Sequence, residues 1–140
     1  MNLSLSRRRY EDTLVTALRY ALALIFVWFG LLKIFGYNPV FDLIDAVTPF
    51  FAEGVGLVLL GIFETLIGIG LALNRVRPVV HALLLLHLAG TFLTFITGLD
   101  IVFRPHFPIL SLDGEFVVKN SVLAIAGLVV LLHQSKQERR

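Results

Sequence analysis

The sequence predicts an all-α integral membrane bundle of four helices, with a short interfacial helix between the first and second spans. Three observations predict it. Of the 140 residues, 57% are hydrophobic and only 16% are charged, against about 25% charged in a soluble domain. The mean hydropathy is +0.86. The apolar residues fall into four runs close to the length, about 20 residues, that carries a helix across a bilayer. A chain of this size holds one domain, 1–140.

The first span is expected over residues 13–36, after a polar, basic lead-in from Met1 to Asp12, with the apolar heart ALALIFVWFGLL. The lead-in and this run resemble a signal peptide. The run is longer than an h-region and no A-x-A site follows, so a retained signal anchor is expected. Tyr37-Asn38-Pro39 ends the helix, because proline disfavours helix at the residue before it. In VFDLIDAVTPFFAE, Phe41, Ile44 and Val47 keep helical spacing while Asp42 and Asp45 fall elsewhere. That segment is too short and too acidic to span, and reads as an interfacial or re-entrant helix. The second span is expected over 54–73 and the third over 79–97, joined by a tight basic turn. An 18-residue polar loop over 98–115 then leads to the fourth span, 116–133. Loops of that length are uncommon and often functional.

Charge gives the orientation. Nine of the twelve Lys and Arg lie in three short stretches: Arg7, Arg8, Arg9 and Arg19; Arg75 and Arg77; Lys136, Arg139 and Arg140. The other two segments hold Asp42, Asp45, Glu53, Asp100, Asp113 and Glu115 against Arg104. Positive charge marks cytoplasmic flanks, so both termini are expected inside. The same distribution makes anionic membrane lipid, not nucleic acid, the partner of the basic residues. The chain has no cysteine, which excludes thiol redox chemistry and thiolate metal sites within it.

Ionisable groups inside hydrocarbon are costly and normally face the bundle interior with a partner. At about 1.5 Å per helical residue, Glu64 and His87 both fall near the midplane. Glu64 shares a helix face with Gly61 and Gly68, a small-residue pattern that brings a neighbouring helix close. His87, Thr91 and Thr94 form one stripe on the third span, and Asn120 shares a face with Gly127 on the fourth. These positions predict a polar trail from Glu64 and His87, past Thr91 and Thr94, to Lys33, Lys119 and Asn120, with Arg104 and His106 capping it from the outer loop. Glu64 and His87 are the candidate proton-handling pair; the others are candidate ligand contacts. An excess of bases in the upper part favours an electron-rich ligand: an oxyanion, a quinone carbonyl or a lipid phosphate. The competing structural readings are snorkelling for Lys33 and Lys119 and plain interhelical bonding for Glu64 and His87. No metal or haem is expected: His81 and His87 are six residues apart and cannot jointly grip one metal, a haem between His81 and His133 near the inner surface is the remote alternative, and no HExxH, phosphate-binding glycine loop or GxSxG triad is present.

Three segments carry a family resemblance. FVWFGLLKIFGY resembles the GLxK close of the first helix in the DoxX-like membrane proteins. GIFETLIGIGLAL resembles their glycine-flanked intramembrane Glu, and GEFVVKN their opening of the last helix. The resemblance covers about Ala17 to Leu132 and includes a reactive-chlorine-resistance branch. It implies a four-helix bundle in the bacterial inner membrane, quinone-linked redox or oxidative-stress physiology, and an accessory role beside a redox partner subunit. By that likeness Lys33, Glu64, Lys119 and Asn120 match motif positions; His87 and Arg104 come from the residues alone. The expected function is therefore a quinone-associated accessory protein, with oxidoreductase-subunit activity left open. The alternative is a non-enzymatic module that binds a lipid, a small metabolite or a partner complex, a second copy of the chain included.

Overall fold

In hydrocarbon every backbone amide must find its partner within its own segment, and long runs of Leu, Ile, Val, Phe and Ala do so as helix. The structure, a computed structural model, describes residues 2–138, with side chains described over 6–137. It is an all-α bundle with four membrane-length helices: α1 (Asn2–Ile34), α3 (Gly54–Leu73), α4 (Arg77–Phe92) and α7 (Leu112–Glu138). Between α1 and α3 lie a short helix, α2 (Phe41–Val47), and a 3-10 turn, Pro49–Phe51. Two four-residue helices, α5 (Thr94–Thr97) and α6 (Leu99–Val102), follow α4. The stretches long and apolar enough to cross a membrane are Ser6–Ile34, Gly54–Leu73, Arg77–Thr97 and Leu112–Gln137. The protein is a multi-pass membrane protein whose two termini lie at the same end of the bundle.

The second span has the expected bounds. The others differ for local reasons. α1 runs on through the basic lead-in, where Arg7 pairs with Glu11 at 3.0 Å one turn away and Thr13 donates to the Arg9 carbonyl. α4 breaks at Leu93, before the expected end at Thr97. The Thr91 hydroxyl donates to the His87 carbonyl and that of Thr94 to the Thr91 carbonyl, and such back-bonding bends helices. The expected 18-residue loop is largely structured. α6 occupies its start, Phe103 pairs with Leu110 in a single β-bridge, and α7 begins at Leu112. Ser111 starts that helix: its hydroxyl accepts from the Gly114 amide at 2.9 Å and donates to the Ile101 carbonyl at 2.5 Å.

α1 and α3 form the closest helix pair. A Cβ on Gly61 would lie 2.6 Å from the Gly30 carbonyl oxygen, and one on Gly68 would lie 2.8 Å from that of Ala23. Lipid tails are as apolar as side chains, so close van der Waals approach of this kind is what joins helices in a bilayer. At the terminal end Arg19 is buried and donates to the Leu71 and Ala72 carbonyls, at 2.5 and 2.8 Å. It closes the C-terminus of α3, where free carbonyls and the helix dipole favour a cation. The terminal half of the bundle is filled by a core that includes Leu22, Phe26, Ile67, Leu71, Leu84 and Leu88. The loop half is not filled in this way, and there the site lies.

Candidate functional site

The glycine contact between α1 and α3 fixes the first pair. Lys33 follows Gly30 by three residues and Glu64 follows Gly61 by three. The helices run in opposite directions, and the lysine stem bridges the offset. Lys33 Nζ donates to Glu64 Oε2 at 2.7 Å, with the two side chains only 3% and 5% exposed. From α4, His87 Nε2 lies 3.1 Å from Glu64 Oε1, a contact that requires the proton on Nε2 and leaves both carboxylate oxygens partnered. The imidazole packs edge-on against Phe26, ring centroids 5.6 Å apart, and Phe29 lies 5.8 Å beneath the Lys33 ammonium. Three helices thus converge on one buried ion network. As an ion pair, Lys33 and Glu64 together add no net charge.

This network forms part of the wall of a cavity of about 420 Å³ in the loop half, within the usual size of small-molecule pockets, about 300–1,000 Å³. Phe26 and Leu88, both core residues, contribute to the wall on its terminal side. Phe29 and Phe116 meet edge to face at 6.0 Å on another side. The short helix α2 adds Leu43, Ile44 and Val47, and Phe51 follows from the 3-10 turn. The Asn38 amide holds that turn by donating to the Ala52 carbonyl at 2.7 Å. The wall is predominantly apolar, with a few polar groups set into it.

Asn120 is one of those groups. It is 4% exposed, lines the cavity, and its carboxamide makes no hydrogen bond to any described residue. Its amide opens on the cavity and is free to bond a molecule that enters it. No family model, curated protein or solved structure matches the chain.

Of the residues singled out from sequence, Lys33, Glu64, His87, Thr91, Thr94, Lys119 and Asn120 all line this one cavity. Their roles in it differ. Lys33 turns inward to Glu64 and does not snorkel to the surface. Lys119 lies on the exposed side of the wall, paired with Glu115 at 2.8 Å one turn away on α7, its side chain 74% exposed. Thr94 is fully buried with its hydroxyl spent on the Thr91 carbonyl. Arg104 and His106 do not cap the cavity: they are exposed and absent from its wall, and bond to the Asp100 and Phe107 carbonyls. The expected excess of bases is therefore corrected. Lys33 is neutralised by Glu64, Lys119 by Glu115, and Arg104 lies elsewhere.

Sequence reasoning missed the aromatic wall, the roof built by α2, and Gly90. Gly90 had a signal, since it falls on the His87–Thr91–Thr94 face at i+3 from His87.

Proposed function

We propose that this chain is a DoxX-like protein of the bacterial inner membrane that acts as a quinone-associated accessory subunit in redox or oxidative-stress physiology. One observation carries the reading: a buried Lys33–Glu64 ion pair, each charge compensated by the other, set in the wall of an apolar, aromatic cavity that also holds an unpartnered carboxamide. A compensated site has little to offer a phosphate or another oxyanion, which would need uncompensated positive charge. A neutral ring with carbonyl acceptors suits it better. The rings of Phe29 and Phe116 take its faces or edges, and Asn120 offers a hydrogen bond that costs the free protein nothing to break. The basic termini support cytoplasmic placement of both chain ends, where anionic lipid head groups meet them.

A bound quinone supplies two-electron, two-proton chemistry, with the electrons coming from a redox partner subunit. The chain's own residues hold and orient the ring, exclude bulk water, and offer an acid–base pair in His87 Nε2 and Glu64 Oε1, 3.1 Å apart.

The test is mass spectrometry of small molecules retained after mild solubilisation. The expected result is a quinone near one per chain, lost in Asn120→Leu and in Glu64→Gln. If the wild-type protein neither retains nor rebinds quinone, in detergent or in nanodiscs, the reading fails. A phospholipid retained in its place selects the alternative, a non-enzymatic lipid-binding module.

A further inference from the structure

Glycine in the middle of a helix costs about 1 kcal/mol relative to alanine. In this bundle most helical glycines are explained by contact. A Cβ at Gly30, Gly61, Gly68, Gly70 or Gly127 would come within 2.8 Å of a facing helix. Gly54 meets open space, but it starts α3 with a positive φ that favours glycine; Gly90, inside its helix, has neither reason. It lies inside α4, and a Cβ built there meets no described atom within 4 Å. What it faces is the cavity, whose wall it helps to form. Helix packing therefore does not explain the missing side chain, whereas the space it leaves open does.

A second, independent feature points to an occupant of that space. Asn120, on α7, is 96% buried, lines the same cavity and has no partner among the described residues. Bare backbone in one part of the wall and a waiting carboxamide in another are complementary to a flat molecule with a polar edge. A ring lies closest to a helix where no side chain stands between them, and a carbonyl on its rim meets the Asn120 amide.

We infer that Gly90 and Asn120 are the two specificity-determining positions of the cavity: Gly90 admits the thickness of a planar ring and Asn120 reads a carbonyl on its edge. The inference rests on the quinone reading and deepens it. It assigns selection to ring shape and to one hydrogen bond, and leaves the Lys33–Glu64 pair a charge-compensated part of the wall. A phosphate-headed lipid has no planar ring for Gly90 to admit.

The experiment titrates full-length purified protein in detergent with decylubiquinone, following both melting temperature and binding by tryptophan-independent calorimetry. The variants are Gly90→Ala, Gly90→Leu, Asn120→Ala and Asn120→Leu. Gly90→Ala is expected to melt at or above the wild type without ligand, because it gains helix propensity and its Cβ meets open space, and Gly90→Leu is expected to remain folded, its side chain entering the cavity. Gly90→Leu is expected to lose at least 10-fold in affinity, Gly90→Ala less. The Asn120 variants are expected to lose about 10-fold, the order of one hydrogen bond. If Gly90→Leu binds as the wild type does, the inference is overturned and the quinone reading stands. If Gly90→Leu fails to fold and Gly90→Ala is destabilised too, Gly90 is a packing residue and the inference falls on that ground. If the wild type shows no binding at all, the quinone reading and the inference resting on it fall together.

Discussion

Removing the Glu64 carboxylate leaves the Lys33 ammonium in the bundle interior with an aromatic ring and no counter-charge. The structure sets the scale. The two side chains are 3% and 5% exposed and joined at 2.7 Å, so water cannot readily replace the lost partner. Breaking one side of such a pair costs about 3–5 kcal/mol, most of it the stranded charge and not the lost attraction. For a chain of this size that is on the order of 10 °C in melting temperature. Lys33→Met strands the carboxylate less completely, because the His87 contact at 3.1 Å remains, and is expected to cost less than Glu64→Leu. The double variant Lys33→Met/Glu64→Leu removes both charges and restores an apolar contact. It is expected to recover most of the loss, since buried pairs replaced by apolar residues are often neutral. The assay is thermal unfolding of the four purified proteins in one detergent, read as a double-mutant cycle. Additive single losses, or losses below about 1 kcal/mol each, the range of exposed pairs, would refute the claim that this is a buried, coupled pair. The double variant also separates roles: it should stay folded yet lose the acid–base pair of the cavity.

Three further outcomes follow from other parts of the bundle. Gly61→Leu drives a side chain into the Gly30 carbonyl and the Lys33 stem, at 2.6 and 2.9 Å from its Cβ. It is expected to cost upwards of about 3 kcal/mol or to prevent folding, judged by yield and size-exclusion profile, while Gly90→Ala leaves both readouts unchanged. Val76 holds a φ of 49° in the turn between α3 and α4, where a β-branched residue is strained by about 1–2 kcal/mol. Val76→Gly is expected to raise the melting temperature by a few degrees, and an unchanged or lower value would remove that strain from the account. Arg19→Met withdraws two charge-assisted bonds from the last carbonyls of α3. A loss of about 2 kcal/mol, with faster hydrogen exchange confined to the end of α3 and the turn after it, is the expected signature.

The spans were legible because hydropathy reports lipid exposure directly. α3 was legible to the residue, since Glu53-Gly54 and Asn74 punctuate it; Asn74 takes the left-handed conformation that ends helices, with φ 55°. The break in α4 at Leu93 was not, because it depends on threonine hydroxyls turned back on their own helix. At the site, the small-residue face of Glu64 correctly announced a close helix neighbour. The sequence did not say that Lys33, 31 residues away, would neutralise it, a contact set by the register of two helices. The Glu115–Lys119 pair was open to view at one-turn spacing, and weighing it would have removed the apparent excess of positive charge. Gly90 escaped notice because a glycine left open and one pressed against a neighbour look the same in a sequence.

Photolabelling tests the central claim most directly. A photoreactive quinone analogue is bound to the protein in nanodiscs, irradiated, and the modified peptides mapped. The account expects labelling concentrated in the segments that wall the cavity, around residues 25–33 of α1, 87–94 of α4 and 116–123 of α7, and suppressed by excess unlabelled quinone and by Gly90→Leu. Labelling spread over lipid-facing positions such as Leu24, Leu66 and Val122, and indifferent to both competitors, would contradict it.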